Sequence, residues 1–457
     1  MTERMLLTGI KVLDVGSYLA GPAAATVMAD FGADVIKIEP REGDPYRQLG
    51  APAGMAAPVH NAFWVQDARS KRSVSLDLKD SRGRATLLRM VAQSDVFLTN
   101  YRPQLLERLH LRWEDLRGAS PRLIYASVTG YGEVGPKAAS PGFDTTAWWA
   151  GSGLMDYVRW PGTTPAVSAP GMGDHATAMS VFGGIMAALF DRERTGKGTK
   201  VTSSLLANGL WSNSMLASVA MCGQPIVSRN VPAEQIPSAL AVPYAARDGY
   251  WLMLTLLNEE KEWPNLLLAL DATALDADER FCDRAARRTH SNALRDVLTA
   301  AFARFTREQL TMRLGRNQVT YGWTATLADI PHDEQLHAAG ILTPIAEGER
   351  QGLTHLVSSP LWIESSAKAA PRYSPTIGQH SAEVLREFGL TEDEVNELMR
   401  SGVAYCEAAN ERTLQAGTVL PGTVPLETVP LGTVPVGTLP VGTLPSGTLP
   451  SGQVAAE

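Results

Sequence analysis

Between residues 9 and 132 the chain alternates short apolar runs with helical stretches, and this alternation limits the fold more than any other feature. "IKVLDVG" reads as a strand, the small-residue run "GPAAATVMADFGA" as a helix ending near Gly32, and "DVIKIEP" as the next strand, stopped by Pro40. "SVSLDL" (73–78), "DVFLTN" (95–100) and "RLIYASVTGYG" (122–132) follow as strands. Helices are expected over 81–94 and over 102–111, the second opened by Pro103. Strands and helices alternating at this pitch predict an α/β fold with a mostly parallel sheet covered by helices. The first strand–helix turn reads "GSYLAGPAAA" rather than GxGxxG, so residues 9–40 are read as a structural βαβ unit and not as a dinucleotide site.

The run 176–190 is expected to be a helix buried on most faces, closed by the basic and glycine-rich "DRERTGKG". Prolines over 225–245 mark a crossing linker. "GYWLMLTLL" then reads as a strand, helical segments continue to about 315, and "QVTYGWTATLADIPHDEQLHAAGIL" starts a return toward the first domain. The expected organisation is 1–225 (first part of a large domain), 226–325 (linker and smaller α+β domain) and 326–410 (return to the large domain). Residues 381–402 read as two helices broken at Gly389, with Thr391 and Glu394 forming a capping box. From 411 to 457 the chain is a tail with proline every fifth residue over 425–450, a pattern that forbids helix and interrupts strand pairing.

With 457 residues, more than one core is expected. A formal net charge of −7 argues against a nucleic-acid partner, which needs a concentrated basic face. Cys222, Cys282 and Cys406 are scattered, with no CxxC spacing, so neither a disulfide framework nor a metal site is expected, and a reducing cytoplasm is the default location. No apolar run reaches membrane-spanning length, and no signal peptide is read at the N-terminus.

Among the candidate reactive groups, Asp174 stands at the mouth of the long apolar run in "APGMGDHATAMSVFGGIMAALF". It is either a helix N-cap or a nucleophile kept ionised by the helix dipole, with Gly171 and Gly173 giving a ligand room to approach. His175 is read as structural or pocket-lining, and Asp144 as a helix cap. Arg41, Arg47, Lys71, Arg72, Lys79, Arg102 and Arg108 follow successive strands and together suit a phosphate-rich ligand at the sheet edge. Trp148, Trp149 and Trp160 are either core or ligand wall. No GxSxG elbow, P-loop or HExxH is present.

The series "GIKVLDVGSYLAGPAAATVMADFGADVIKIEPREGDPYR", "SKRSVSLDLK", "DVFLTNYRPQLLERL", "PRLIYASVTGYGEVGP", "PGFDTTAWWAGSG", "GMGD", "RERTGKGTKV" and "SPTIGQHSAEVLREFGL" resembles the class III CoA-transferases, the group of the formyl-CoA, carnitine and bile-acid CoA-transferases. The resemblance covers about 7–403 and implies an interlocked homodimer of ring-like chains, each with a Rossmann-like large domain and a smaller one. It implies that Asp174 attacks an acyl-CoA and that CoA is a substrate, with no tightly bound cofactor. The CoA contacts it implies are Ser17, Tyr18, Leu19 and Ala20, then Leu76 and Lys79, then Asn100, Tyr101, Arg108, Leu109 and Tyr131. Pro40 stands where the family has a basic residue, and Arg41 is the substitute one place on. Relatives that racemise α-methylacyl-CoA carry His where this chain has Phe143, which disfavours a racemase. The glycine run of the formyl-CoA transferases is missing around "LTLLNEEKEW", which argues against oxalate. Phe143, Trp148, Trp149 and His175 are the candidate walls of the acid pocket, and the tryptophans hint at an acid larger or more apolar than oxalate. A racemase of the same fold and a CoA-binding protein without catalysis are the alternatives.

Overall fold

The structure, a computed structural model, describes residues 5–49, 61–226, 237–350 and 352–407. The repeat tail and residues 227–236 of the proline-rich linker lie outside the described residues.

A seven-stranded sheet organises the fold. Its strands are β1 (Lys11–Asp14), β2 (Asp34–Glu39), β3 (Arg72–Leu76), β4 (Val96–Thr99), β5 (Ile124–Thr129) and β6 (Thr199–Ser204), joined by a late strand, Ala404–Tyr405. The spatial order is Ala404–Tyr405, β3, β2, β1, β4, β5, β6. Every pairing is parallel except that of the late strand on β3. The chain steps outward from β1 to β3 and then restarts at β4 on the other side of β1. The carboxyl ends of β1 and β4 therefore diverge, and an open parallel sheet offers a crevice at such a switch point.

Strands β1 to β5 are buried on both faces, as a parallel sheet requires, while the edge strand β6 is only partly buried. Val12, Val35, Val96, Leu98 and Ala126 join one core with α1 (Ala20–Asp30), while Leu13, Ile36, Phe97 and Tyr125 join the other. α1 is alanine-rich and buried along its whole length, because a small-residue helix can be enclosed between a sheet and a second helix. That second helix is the 24-residue Met172–Thr195. It starts four residues earlier than the apolar run, and only one stripe is buried: Ala178, Val181, Phe182, Ile185, Ala188 and Leu189. Phe190 is exposed, so the expectation of a helix buried on most faces is corrected here.

Residues 239–319 build a separate hydrophobic cluster under the three-stranded antiparallel sheet β7 (Pro243–Ala245), β8 (Trp251–Leu254) and β9 (Tyr321–Trp323). Near the end, Ser381–Glu387 and Glu392–Arg400 pack Val384, Leu385, Phe388 and Val395 into the second core of the large sheet. The capping box forms as expected: Thr391 Oγ1 accepts from Glu394 N–H at 3.3 Å, and Glu394 accepts from Thr391 N–H at 2.7 Å.

Four almost fully buried charges lie beneath the turn that follows β1. Lys71 Nζ meets Asp14 at 2.9 Å, and Lys37 Nζ meets Asp44 at 2.7 Å and Asp14 at 3.9 Å. Lys37 also donates to the Gly16 carbonyl, and Lys71 donates to the Pro22 carbonyl at 2.7 Å. Burial alone would raise the Asp14 carboxyl, but Lys37 and Lys71 outweigh it and hold the group below the usual range. Removing one partner of such a cluster leaves an uncompensated charge, so Asp14→Asn is expected to lower unfolding free energy by about 3–5 kcal/mol in urea denaturation.

Candidate active site

The turn after β1 is fixed by a reciprocal clamp to the turn after β4. Ser17 N–H donates to Asn100 Oδ1 at 2.8 Å, and Asn100 Nδ2 donates back to the Ser17 carbonyl at 2.6 Å. A Cβ on Gly16 would stand 3.1 Å from both Asn100 Oδ1 and the Pro22 ring, which suits a residue without one. Tyr18 takes a left-handed φ of 58°, and its N–H donates to Asp44 Oδ1 at 3.1 Å. The buried charge cluster thus reaches the backbone of the turn directly.

Above this clamp lies a cavity of about 420 Å³. Ser17, Tyr18, Leu19 and Ala20 wall one side, and Asn100, Tyr101 and Arg102 another. Thr129 and Gly130, Gly142 and Phe143, and Asp174 complete it. A second cavity of about 330 Å³ is walled by Arg41, Leu76, Lys79, Arg108 and Leu109. Tyr101 and Leu105 line both, so the two lie side by side. Arg41, Lys79 and Arg108 share this hollow with Glu39, Glu42 and Asp77, of which Glu39 is paired with Arg47. Arg41 lies 5.0 Å over the ring of Tyr405. Of the expected contacts, Tyr131 lines neither cavity; its ring stands where a Cβ on Gly142 would meet it at 2.9 Å.

Asp174 is the third residue of Met172–Thr195, whose N-cap is Gly171 at φ 72°. The capping alternative is therefore removed: the carboxylate sits inside the first turn. The dipole reading also needs correction. Burial pushes the Asp174 carboxyl up to about 7, Asp144 adds to this and Asp67 adds less, while His175 opposes. The dipole favours the charged form, but desolvation and two like charges outweigh it. Asp144 is the first residue of a π-helical turn (Asp144–Ala150), not its cap. Its Oδ1 accepts from Thr145 N–H at 2.7 Å, and its buried Oδ2 has no partner.

The glycines also have a packing reason. A Cβ on Gly173 would lie 2.6–2.8 Å from Trp148, and one on Gly171 would lie 2.8 Å from Leu19 Cδ2. Trp148 and Trp149 stack on each other at 6.0 Å and are buried, and Trp149 Nε1 donates to the Ala166 carbonyl at 2.8 Å. They belong to the core that supports the first turn of the helix and do not wall the cavity, which corrects their place among the pocket residues. Trp160 is exposed. Phe143 does line the cavity and meets Tyr18 edge-on at 5.7 Å. His175 reaches away from the cavity wall to Asp67, 2.9 Å from its Nε2. Sequence reasoning missed Asp67 and Tyr46; an aspartate inside the apolar helix Ala62–Ala68 was the available signal.

Among the described residues no cluster of His, Cys, Asp or Glu could hold a metal ion, and no helix is long and apolar enough to cross a membrane.

With this geometry in place, the comparisons are direct. The model of CoA-transferase family III matches residues 7–381. The (R)-2-hydroxy-4-methylpentanoate CoA-transferase of Clostridioides difficile is 30% identical over 87% of this chain and 99% of its own length. The cinnamoyl-CoA:phenyllactate CoA-transferase of Clostridium sporogenes is 29% identical over 86% of this chain and 96% of its own length. A solved structure from Brucella suis, described as a CAIB/BAIF family protein, matches with a TM-score of 0.71 at 27% identity, covering 84% of this chain and 100% of that one. The chain belongs to CoA-transferase family III. It is a transferase enzyme that works on CoA thioesters.

Two outcomes are expected from this arrangement. Gly173→Ala drives a methyl group into Trp148 and should cost about 1–3 kcal/mol in urea denaturation, with activity lost as the first turn shifts. Asp174→Asn removes a carboxyl whose folded-state pKa is raised. Wild-type stability falls as pH rises between the unfolded value and about 7, so the relative advantage of the variant should grow over that window and level off above it in thermal melts taken from pH 4 to 8.5.

Proposed function

We propose that this enzyme moves CoA from an acyl-CoA to a carboxylic acid by covalent chemistry on Asp174. The single observation that carries the reading is that Asp174 lines a cavity whose neighbour, sharing Tyr101 and Leu105 with it, is lined by Arg41, Lys79 and Arg108. A long ligand with phosphates at one end and a thioester at the other fits that order. In this reading Arg41 and Arg108 meet the phosphates of CoA, Leu76 and Lys79 flank the adenine, and Ser17, Tyr18, Leu19, Ala20, Asn100, Tyr101 and Leu109 guide the rest. Tyr131 contributes only from behind Gly142.

The ionised Asp174 oxygen attacks the thioester carbonyl, the C–S bond breaks, and a mixed anhydride and CoA thiolate result. The thiolate attacks the aspartyl carbonyl, giving an aspartyl-CoA thioester and releasing the donor acid. The acceptor carboxylate attacks that thioester, forming a second anhydride and freeing the thiolate. The thiolate then takes the acceptor acyl group and returns Asp174 as carboxylate. Splitting the exchange into these steps is what covalent catalysis achieves. A carboxylate with a raised pKa is a stronger nucleophile once it is ionised.

The two relatives are named for acids with a hydroxyl beside the carboxylate and an apolar side chain. We assign the same class of acceptor here, with Phe143 and Tyr18 against the apolar side chain. A racemase would need a second proton carrier in the cavity; Phe143 cannot be one, and both His175 ring nitrogens are engaged.

The proposal extends to the assembly. The strand order 3-2-1-4-5-6 supports a Rossmann-like large domain, with 226–325 as the smaller domain and 326–410 as the return. Exposed Trp211, Met215 and Met221 in the consecutive helices Leu205–Ser212 and Ser214–Met221 support a covered face in an interlocked homodimer. A cytoplasmic location completes the reading.

The test is a mass-spectrometric screen of CoA donors against 2-hydroxy acids, with hydroxylamine added during turnover. Asp174→Ala should lower exchange by about 10³-fold or more, and wild-type enzyme should carry a hydroxamate on Asp174. Undiminished exchange by Asp174→Ala would sink the covalent reading.

A further inference from the structure

His175 follows Asp174 directly, and both of its ring nitrogens are occupied. Nδ1 lies 3.0 Å from the Gly171 carbonyl oxygen, and Nε2 lies 2.9 Å from Asp67 Oδ1. A carbonyl oxygen can only accept, and so can an ionised carboxylate. Each contact is a hydrogen bond only if the nitrogen carries a proton, and both nitrogens carry one only in the imidazolium form. Asp67 is placed to be the counter-charge. It is buried, and its other oxygen accepts the Tyr46 hydroxyl at 3.0 Å. The hydroxyl and the imidazole approach opposite oxygens of one carboxylate and hold it from two other elements of the chain.

We infer that His175 is a fixed cation, locked by Asp67 and the Gly171 carbonyl, whose task is to keep the adjoining Asp174 carboxylate charged. The inference rests on Asp174 as the nucleophile. The groups around Asp174 make the need plain. The π-helical turn brings Asp144, the helix Ala62–Ala68 brings Asp67, and the 3₁₀ turn Pro45–Gln48 brings Tyr46, with Asp44 at its cap. Burial, Asp144 and Asp67 favour a protonated Asp174, and His175 opposes them. The imidazole is half exposed, yet it is held above its ordinary range: partial burial pulls it down, but the bond and charge of Asp67 outweigh this, helped by Asp174 and the Gly171 carbonyl. With neither nitrogen free, the ring cannot shuttle a proton. His175 is a positioning residue that acts through charge.

The test reads Asp174 itself. The free enzyme is labelled with ¹³C at the aspartate carboxyls, and the Asp174 signal is assigned by its loss in Asp174→Asn. Its titration midpoint is compared in wild type, His175→Gln and Asp67→Asn. His175→Gln keeps a donor but no charge, and the midpoint should rise by about one pH unit. Asp67→Asn gives Nε2 a donor to accept from, so the ring can become neutral. It should raise the midpoint by less, because a negative charge near Asp174 leaves at the same time. In ¹⁵N-histidine-labelled wild type, both His175 nitrogens should show imidazolium shifts at pH 7.5. A neutral ring at that pH, or a midpoint that stays or falls in His175→Gln, overturns the inference. If His175→Gln does not fold, the wild-type ring and Asp67→Asn decide the matter. None of these readouts needs turnover. Should Asp174→Ala still transfer CoA while the shifts appear, the covalent reading fails and the fixed cation stands.

Discussion

Everything at the site stands on Asp14, Lys37, Asp44 and Lys71, four charges with almost no contact with water. Such a cluster is costly to bury and is retained only where its geometry satisfies every member. Here it joins three neighbouring strands to one turn. Lys37 from β2 and Lys71 from the approach to β3 both converge on Asp14 at the end of β1. Lys37 then engages Asp44, and Asp44 in turn accepts from the Tyr18 backbone. The left-handed Tyr18 and the clamp between Ser17 and Asn100 follow from that chain of contacts. Apolar residues would fill the same volume but would not orient the turn.

At Asp174 the balance of forces is different. A helix start favours a negative charge, yet the group is only partly exposed and faces the charge of Asp144, whose own Oδ2 has no hydrogen-bond partner among the described residues. The site accepts a poorly solvated carboxylate, and its basicity is raised as a result. His175, one residue along the chain, opposes that rise. The Asp174 carboxyl is tuned by competition among near neighbours and not by the helix alone.

The alternation of strands and helices and the parallel sheet were legible because they are local patterns, whereas the cavity-lining turn residues came only from the family resemblance. The periodicity of "IKVLD" or "DVIKIE" reports burial on both faces whatever the partner. Asp174 was visible through its glycines, but the reason for them was not. Trp148 presses on Gly173 from 25 positions away, and no local pattern records that contact. The bond from His175 to Asp67 crosses 108 positions, and the clamp from Ser17 to Asn100 crosses 83. The mistaken N-cap has a simple origin: the helix begins before its apolar residues do, and Gly171 serves as its boundary.

The antiparallel strand Ala404–Tyr405 has a consequence for how the molecule is made. It covers the open edge of β3, a strand completed more than three hundred residues earlier. The same late segment supplies Ser381 Oγ to the Ser75 N–H and His380 Nδ1 to the Ser73 N–H. While the chain emerges from the ribosome, that edge has only solvent to bond with until the last segment arrives. A contact of such sequence separation forms late and slowly, and an unpaired strand edge invites other chains. The nascent protein therefore leaves this edge open to misassociation until residues 404–405 have been made.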